Sequence, residues 1–463
     1  MAQHAPRVAV VGGGIAGTLC SLVLRHKGIQ PTIIDAGRSV GGRLRNGGAQ
    51  FLRAADPRFA GLVEMLEQKG LLREWKGRFG MLGSAGGGFL PAEIITKNTA
   101  YSQRTVGSNP QDGMSGEEEA QEKSMIAATD GGDFCRFVDG STVPTYVGVP
   151  SMTEFCPEIC RLAQIPQILD SKLVSATPIK EGGWTLDVET NGGNAGFSNE
   201  KDATFDALVL AIHDPSVASG VIRSILDAEN LAAGGSNDAS NDEKTLPLVL
   251  NRLKELADSL QKVRDNEKLP VYSVGITYPA GFSKEIPFDA VSVPASQVVQ
   301  FLSSESSKSG FSESLDNSDE GEMWTAISTS RIASTILSQP DLSHETMAEH
   351  IVTGVVTEVG ELLAQYHGGT TPEPLEVIVK RWSAAFCSRG LNLKEDSILL
   401  SPWRLAICGD YIRDQSEYTT PLEAAALSGL EAGERTASFW TPEEMPCWAN
   451  STVSAWFFGL EDV

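Results

Sequence analysis

A glycine-rich turn between a strand and a helix near the start of the chain constrains the fold more than any other feature. The run from Arg7 to Val11 is short and rich in β-branched residues, which is typical of a strand buried on both faces. Gly12, Gly14 and Gly17 follow it with G-x-G-x-x-G spacing. In such a turn the first glycine permits the sharp bend, the second admits a pyrophosphate, and the third lets the helix pack closely on the strand.

The residues after the glycines complete a strand–helix–strand unit. Apolar spacing predicts a helix from Ile15 to His26, and Pro31 to Ile34 reads as a second strand that ends at Asp35. An acidic side chain at that position accepts hydrogen bonds from a ribose 2′-hydroxyl and disfavours a 2′-phosphate. The unit therefore predicts a dinucleotide site, and the pattern by itself leaves NAD and FAD open.

Length and charge limit the class of protein. A chain of 463 residues is too long for one simple core, so we expect two domains. The net charge of −23 argues against nucleic acid or an anionic membrane surface as a partner. No run of eighteen apolar residues occurs, so no transmembrane helix is predicted. We expect a cytoplasmic protein because no secretory signal precedes the first strand, with an organelle such as the plastid left open if a transit segment has been removed.

The cysteines and histidines point to neither a disulfide framework nor a metal site. The seven cysteines are scattered and form no C-x-x-C pair, which fits a reducing compartment. The chain has six histidines, and no metal-ligand or Ser-His-Asp pattern is visible. We therefore expect no metal, and no catalytic residue can be named.

Two further segments suggest contacts with an anionic cofactor. Gly41 and Gly42 beside Arg43 allow close backbone approach to an anion with a fork-shaped donor at hand, although a surface turn fits equally well. Near the end of the chain, a strand runs into Gly409-Asp410, and Pro421 opens a strong helix. The partial positive charge at that helix N-terminus would favour a reduced, anionic flavin.

The order GGGIAG, GGRL and GGAQF resembles the renalase-like branch of the flavin amine-oxidase superfamily. The resemblance implies noncovalent FAD, with its ADP half on the first unit and Arg43 near the pyrophosphate. It also implies that Gln50 and Phe51 pass the flavin ring, that the backbone at Val174 touches adenine, and that Gly409-Asp410 holds the ribityl side. The predicted cofactor-binding residues are Gly12, Gly14, Ile15, Ala16, Gly17, Asp35, Gly42, Arg43, Gln50, Phe51, Val174, Gly409 and Asp410.

The predicted fold class is α/β: a Rossmann-type, glutathione-reductase-like FAD-binding domain with a discontinuous α+β substrate domain on a mainly antiparallel sheet. We assign 1–78, 145–215 and 376–440 to the FAD-binding domain and 79–144 and 216–375 to the substrate domain, with 441–463 as a C-terminal extension. Aperiodic, polar stretches predict flexible insertions near 96–133, 227–245 and 303–322.

The predicted function is that of an FAD-dependent oxidase. As the resemblance implies, a small reduced substrate, a dihydronicotinamide or an isomer of one, would give a hydride to FAD, and dioxygen would take the electrons. The alternatives are an amine oxidase acting on a small amine and a catalytically silent FAD-binding scaffold. His213 is interpreted as a structural histidine at a strand end, and Trp382 as either a domain-interface residue or a flavin contact.

Overall fold

The structure is a computed structural model that describes residues 5–45, 47–83, 88–93, 143–180, 182–190, 197, 203–233, 245–308, 321–339, 342–413 and 420–440. The predicted insertion near 96–133 and the extension 441–463 lie outside the described residues. The described helices are α1 (Ile15–His26), α2 (Pro57–Gln68), α3 (Phe155–Leu162), α4 (Pro215–Ala233), α5 (Thr245–Asn266), α6 (Ser330–Leu337), α7 (His344–Ala364) and α8 (Pro421–Ala437). The described strands are β1 (Arg7–Val11), β2 (Gln30–Ile34), β3 (Leu72–Glu74), β4 (Phe79–Leu82), β5 (Phe89–Pro91), β6 (Tyr146–Gly148), β7 (Gln167–Ile168), β8 (Ser171–Pro178), β9 (Trp184–Thr190), β10 (Thr204–Phe205), β11 (Ala207–Leu210), β12 (Lys268–Tyr278), β13 (Ala290–Ser292), β14 (Val299–Ser304), β15 (Glu322–Ser328), β16 (Glu376–Cys387), β17 (Ile398–Leu400) and β18 (Leu405–Ile407).

A six-stranded sheet in the order β17-β18-β11-β1-β2-β7 forms the centre of the nucleotide half. Its strands run parallel except for β17, which pairs antiparallel with β18. Strands β11 and β18 and residues 8–11 of β1 are apolar and buried, since both faces of the sheet are covered. Their carboxyl ends meet at one edge, which is where ligands bind in open sheets of this kind.

Helix α8 lies directly against α1, although about four hundred residues separate the two in sequence. A Cβ on Gly433 would lie 2.7 Å from Cβ of Val23, and one on Gly429 would overlap the backbone of Ala16. The small residues of α8 therefore serve close helix packing, and this packing carries the N-terminus of α8 to the glycine turn of the first unit.

The opposite face of the same sheet is covered by the small sheet β10-β9-β8 and by helices α4 and α5. Trp184 on β9 is fully buried there, and its indole N–H donates to the carbonyl of Trp403 at 2.7 Å. Strands β8 and β9 form a hairpin at Gly182-Gly183, where both glycines have positive φ.

The second half is built on a seven-stranded sheet in the order β16-β12-β15-β14-β13-β4-β5. All its pairings are antiparallel except β13 with β4. Helices α6 and α7 cover one face and bury an aromatic core around Trp324 and Phe288. The predicted fold class is confirmed: a Rossmann-type domain and a mainly antiparallel sheet, interrupted by one another in sequence.

The structure differs from the predicted boundaries in four places. Helices α4 and α5 pack in the core of the nucleotide half, whereas the sequence placed them with the substrate domain. Strand β16, assigned to the FAD-binding domain, pairs with β12 in the other sheet. Residues 227–233, expected in an insertion, continue α4, since alanine and leucine are strong helix formers. Residues 303 and 304, expected at the start of another insertion, belong to β14.

None of the helices in the described part of the chain combines the length and the apolarity needed to cross a bilayer.

Candidate nucleotide and substrate cavities

The three glycines of the first turn have separable roles. Gly12 has φ of +103°, a conformation that favours glycine, and its N–H donates to the carbonyl of Ile34 at 2.8 Å. A Cβ on Gly17 would overlap the carbonyl of Gly12, so Gly17 is required for packing. A Cβ on Gly14 would meet no atom within 4 Å, because Gly14 faces an open cleft. The space above Gly14 is therefore available to a ligand.

Asp35 closes β2 and stands at the rim of that cleft. Its two carboxylate oxygens accept the N–H groups of Gly13 at 2.6 Å and Gly37 at 2.7 Å. These bonds fix the side chain and leave each oxygen a second lone pair for an outside donor. The carboxylate is thus held where a ribose hydroxyl can reach it.

The cleft has a volume of about 530 Å³. Its lining includes five basic residues and only two acidic ones. The basic residues are Arg43, Arg45, Lys172, Lys380 and Arg381, and the acidic ones are Asp35 and Asp214. In a chain whose net charge is −23, this concentration of positive charge suits an anionic ligand such as a pyrophosphate.

A buried ion triad links the cleft to both sheets. Nη1 of Arg43 donates to Asp410 at 2.8 Å, and Nζ of Lys268 donates to the other carboxylate oxygen at 3.1 Å. The side chains of Lys268 and Asp410 are fully buried. Burial by itself would raise the pKa of Asp410, but the charges and hydrogen bonds of Arg43 and Lys268 outweigh it and hold that pKa well below its usual range. The carboxylate is therefore ionised at all ordinary pH values.

An apolar cavity of about 90 Å³ adjoins the cleft and shares with it Ile15, Arg43, Leu44, Trp382 and Ala425. Phe51, Val271, Ile327 and Phe386 supply further apolar walls. The first turn of α8 forms one side: Thr420 caps the helix by accepting the N–H of Glu423 at 3.1 Å, and Pro421 occupies the first helical position. The cavity thus combines flat apolar walls with the partial positive charge of a helix N-terminus.

The indole N–H of Trp382 is buried beside this cavity and has no hydrogen-bond partner among the described residues. An unsatisfied buried donor costs about 1–3 kcal/mol, so such groups in native proteins usually have a partner. Trp382 also lines the cleft. An acceptor on a ligand that spans both spaces would satisfy this donor.

A third cavity of about 460 Å³ lies next to the apolar one and shares Leu44, Ala49 and Gln50 with it; we call it the polar cavity because Lys308 and Glu305 line it. Its floor carries Lys308, whose Nζ donates at 2.7 Å to Oε1 of Gln50 and at 2.7 Å to Oε1 of Glu305. Burial lowers the pKa of Lys308, while the neighbouring charge of Glu305 acts in the opposite direction.

The structure brings most of the predicted cofactor residues to these spaces. Gly12, Gly14, Ile15, Ala16, Asp35, Gly42, Arg43 and Gly409 line the cleft, and Gln50 and Phe51 line the apolar cavity. Gly17 supports the turn from behind. Asp410, expected to contact the cofactor directly, lies behind Arg43. The side chain of Val174 is 57% exposed at a bulge in β8, and its neighbours Lys172 and Leu173 line the cleft instead.

His213 and Lys308, which line these cavities, and the buried Lys268, which pairs with Asp410, were not expected from the sequence. His213, interpreted as structural, lines the cleft and is exposed to the space within it; partial withdrawal from bulk water and the positive charges of Arg43 and Lys268 lower its pKa. Lys268 opens a strand, and Lys308 lies within a serine-rich stretch, so neither carries a motif. Their only sequence signal is a lone cation beside apolar or small residues.

The described residues contain no group of three or more His, Cys, Asp or Glu side chains that could hold a metal ion. Cys408, the cysteine nearest to Gly409, is fully buried within β18 and lines neither the cleft nor the apolar cavity. Burial raises the pKa of its thiol to about 12, so it is unreactive as a nucleophile at neutral pH.

Comparison with known proteins agrees with this architecture. A family model described as an NAD(P)-binding Rossmann-like domain matches residues 10–55. A comparison with curated protein sequences finds no match.

Solved structures extend the likeness to nearly the whole chain. Cyclohexylamine oxidase from Brevibacterium oxydans IH-35A aligns with a TM-score of 0.56 at 13% identity, covering 94% of this chain and 99% of that one. A redesigned variant of putrescine oxidase aligns with a TM-score of 0.55 at 15% identity, covering 94% and 98%. An oxidoreductase from Methanosarcina mazei aligns with a TM-score of 0.52 at 10% identity, covering 92% and 100%. At these identities the likeness is one of fold, and the chain has the fold of the flavin amine oxidases.

Proposed function

We propose that this protein is an FAD-dependent oxidoreductase that takes a hydride from a small substrate. The observation that carries the proposal is the continuity of two different spaces: a positively charged cleft over the glycine turn and an apolar cavity at the N-terminus of α8. A pyrophosphate suits the first and a flat heteroaromatic ring suits the second. Arg43 and Trp382 line both spaces, so one extended ligand can occupy them together.

Residues along the cleft would hold the cofactor in a defined direction. The N–H groups at the start of α1 and the guanidinium of Arg43 would bind the pyrophosphate, and Asp35 would accept hydrogen bonds from the adenosine ribose. The side chains of Lys172 and Leu173 on β8 would lie next to adenine, and the backbone of Val174 stays a proposed contact. Asp410 holds Arg43 in place and acts on the cofactor only through it.

The bound flavin would accept the hydride and pass the electrons to dioxygen. The chain itself excludes water with the apolar walls of the second cavity, and its helix terminus favours negative charge on the ring. Noncovalent binding is supported by the burial of Cys408 in its strand. The proposal requires no metal.

Two hydride donors are considered, each for its own reason. The order of the GGGIAG, GGRL and GGAQF segments supports a renalase-like donor, a dihydronicotinamide or an isomer of one. The likeness in fold to putrescine oxidase and cyclohexylamine oxidase supports a small amine. The two differ in charge at neutral pH, because the dihydronicotinamide ring is neutral and a simple alkylamine is protonated.

The proposed domain division follows the sheets. The FAD-binding part comprises 1–78, 145–215 and 388–440 together with α4 and α5, and the substrate part comprises 79–93, 267–375 and strand β16. Strand β16 contributes Trp382 and Ala385 to the apolar cavity. The cofactor would therefore lie between the two parts, with each contributing one wall.

The test is a titration of the purified protein with FAD and, separately, with NAD, followed by anaerobic addition of dihydronicotinamides and of amines. We expect tight FAD binding, weak NAD binding and loss of the flavin's visible absorption with one class of donor. The variant Gly14→Val should abolish FAD binding without unfolding the protein, since the added side chain enters only the space assigned to the ligand. A protein that binds NAD but not FAD would contradict the proposal.

A further inference from the structure

Lys308 is a buried charge on a cavity wall, with only 8% of the residue exposed. Removing an ammonium from water costs several kcal/mol. A protein with an apolar residue of similar volume in place of a buried ion pair is often equally stable or more stable. A buried lysine on a cavity wall is therefore a candidate functional group.

The contacts of Lys308 form a network with fixed donor directions. Its Nζ donates to Oε1 of Gln50 and to Oε1 of Glu305, both at 2.7 Å. Oε1 of Gln50 also accepts the hydroxyl of Ser303 at 3.2 Å, and Nε2 of Gln50 donates to the carbonyl of Gly48 at 3.0 Å. The amide of Gln50 is thereby held in one orientation, at the wall that the polar and apolar cavities share.

Lys308 keeps donor capacity for a ligand. An ammonium carries three N–H donors, and Gln50 and Glu305 take two of them. The ammonium also lies 5.3 Å from the centre of the Trp75 ring, which stabilises its charge. A ligand oxygen in the polar cavity would complete the coordination of the ammonium.

The charges around the polar cavity favour a neutral or anionic ligand. Among the described residues that line it, Glu305 is the one carboxylate, and its Oε1 already accepts both Lys308 and the hydroxyl of Thr325, the latter at 2.6 Å. Lys380 adds a second positive charge at the cavity. The same lining residues include no aromatic ring that could receive a cation on its face. A protonated amine would meet two ammonium groups and no uncompensated anion.

Apolar side chains also line the polar cavity: Val147, Pro150, Met152, Met323 and Ile378. A ligand suited to this space has an apolar body and one hydrogen-bond acceptor. Since Gln50 and Ala49 border both cavities, such a ligand would lie next to the ring that the apolar cavity is proposed to hold.

We propose that the polar cavity is the substrate site and that Lys308 is its specificity-determining residue, binding a carbonyl or carboxylate oxygen of a neutral or anionic substrate. The proposal rests on the proposed function for its placement beside the flavin. Lys308 also acts as a positioning residue for Gln50. Simple protonated amines are disfavoured, so of the two hydride donors considered above, the neutral one is selected.

The test uses three ring compounds of equal size and different charge: benzoate, benzamide and benzylamine. Their binding to the FAD-loaded protein is measured by calorimetry and by the perturbation of the flavin's visible spectrum. We expect benzoate and benzamide to bind more tightly than benzylamine. The variant Lys308→Met should weaken benzoate about tenfold or more, equivalent to a loss of at least about 1.4 kcal/mol, because a charge-assisted hydrogen bond is removed.

Two further variants protect the test against a simple folding defect. Glu305→Gln leaves Lys308 in place without its counter-charge, so benzoate should bind more tightly than to the unaltered protein. Lys76→Met, which removes a lysine whose side chain is 80% exposed, should change none of the three affinities. If Lys308→Met does not fold, the change in benzoate affinity caused by Glu305→Gln still tests the proposal: tighter binding supports it, and unchanged or weaker binding contradicts it.

The inference is overturned if benzylamine binds the unaltered protein best, or if neither Lys308→Met nor Glu305→Gln changes the affinity for benzoate. A protein that takes up no FAD would refute the proposed function, and calorimetry with the same three compounds would still test the site. A perturbed flavin spectrum together with the expected order of affinities would support both.

Discussion

Replacing Asp410 by asparagine tests the central ion triad of the fold. Asparagine has nearly the same shape, but it carries no charge and has only one acceptor oxygen. Arg43 keeps 25% of its side chain exposed and can turn to water, whereas the side chain of Lys268 is fully buried beside Asp410. The substitution therefore leaves one charge buried without its partner.

The expected loss of stability follows from that isolated charge. Removing one partner of a buried ion pair costs about 3–5 kcal/mol. The loss also has an upper limit, because the lysine can lose its proton instead of staying charged. Deprotonating a lysine with an ordinary pKa of about 10.4 at pH 7 costs about 4.6 kcal/mol. We expect Asp410→Asn to lower the free energy of unfolding by about 3–5 kcal/mol.

The effect should depend on pH in one direction. The pKa of Asp410 is lowered in the folded protein, so its stabilising contribution is complete above the unfolded pKa of about 3.9 and is lost as the pH falls towards the folded value. The difference between the unaltered protein and the variant should be constant from about pH 5 to pH 8 and should shrink below about pH 4.

Urea unfolding of the flavin-free protein, followed by tryptophan fluorescence, measures the effect. The matched control is Asp258→Asn, which breaks a surface pair with Arg223 at 2.6 Å whose side chains are 45% and 48% exposed, and should cost less than about 1 kcal/mol. Adding Lys268→Met to Asp410→Asn removes the isolated charge and should restore about 2 kcal/mol. A loss below about 1 kcal/mol for Asp410→Asn, or no recovery in the double variant, would refute the reasoning.

Other substitutions separate binding from folding. Gly14→Val should lower the affinity for FAD at least about a hundredfold without changing the stability to urea. Gly17→Ala should lower the free energy of unfolding by about 1–3 kcal/mol because its Cβ overlaps the carbonyl of Gly12. Equal effects of the two variants on stability would contradict these roles. Trp382→Phe keeps an aromatic ring and removes the indole N–H that has no partner among the described residues, so FAD should bind up to about tenfold more weakly. An unchanged dissociation constant would show that this N–H makes no hydrogen bond to FAD. Glu423→Gln should lower the free energy of unfolding by about 1–3 kcal/mol, because the buried carboxylate of Glu423 accepts the backbone N–H groups of Ala55 and Asp56 at 2.6 and 2.8 Å. An unchanged free energy of unfolding would contradict the role of Glu423 in holding this segment.

The sequence predicts the first unit well because its signals are local. The strand, glycine turn, helix and acid follow one another within thirty residues, and each conforms to a short-range rule of backbone geometry. The structure agrees from Arg7 to Asp35. Gln50 and Phe51 were found for a different reason, since their segment resembles a known family.

The residues that sequence reasoning missed act across long separations. Lys268 meets a carboxylate 142 positions away, and Lys308 bonds Gln50 across 258 positions. Lys308 also lies at the edge of a serine-rich, acidic stretch whose composition predicts a solvated loop. Only the order of strands in the two sheets brings these groups together, and no local pattern encodes that order.

Domain membership was harder to predict than the fold class for a similar reason. An amphipathic helix such as α5 shows that it has an apolar face but not which sheet that face covers. Strand β16 alternates like any half-buried strand, so its pairing with β12 could not be predicted from its own residues.

Anaerobic reduction of the FAD-loaded protein tests the central claim most directly. The visible absorption of the bound flavin is recorded while a dihydronicotinamide or a small amine is added in the absence of dioxygen, and air is then admitted. We predict that the neutral donor removes the absorption, that the amine leaves it unchanged, and that air restores it. A protein that binds no FAD, or whose bound flavin is reduced by no donor, would contradict the account.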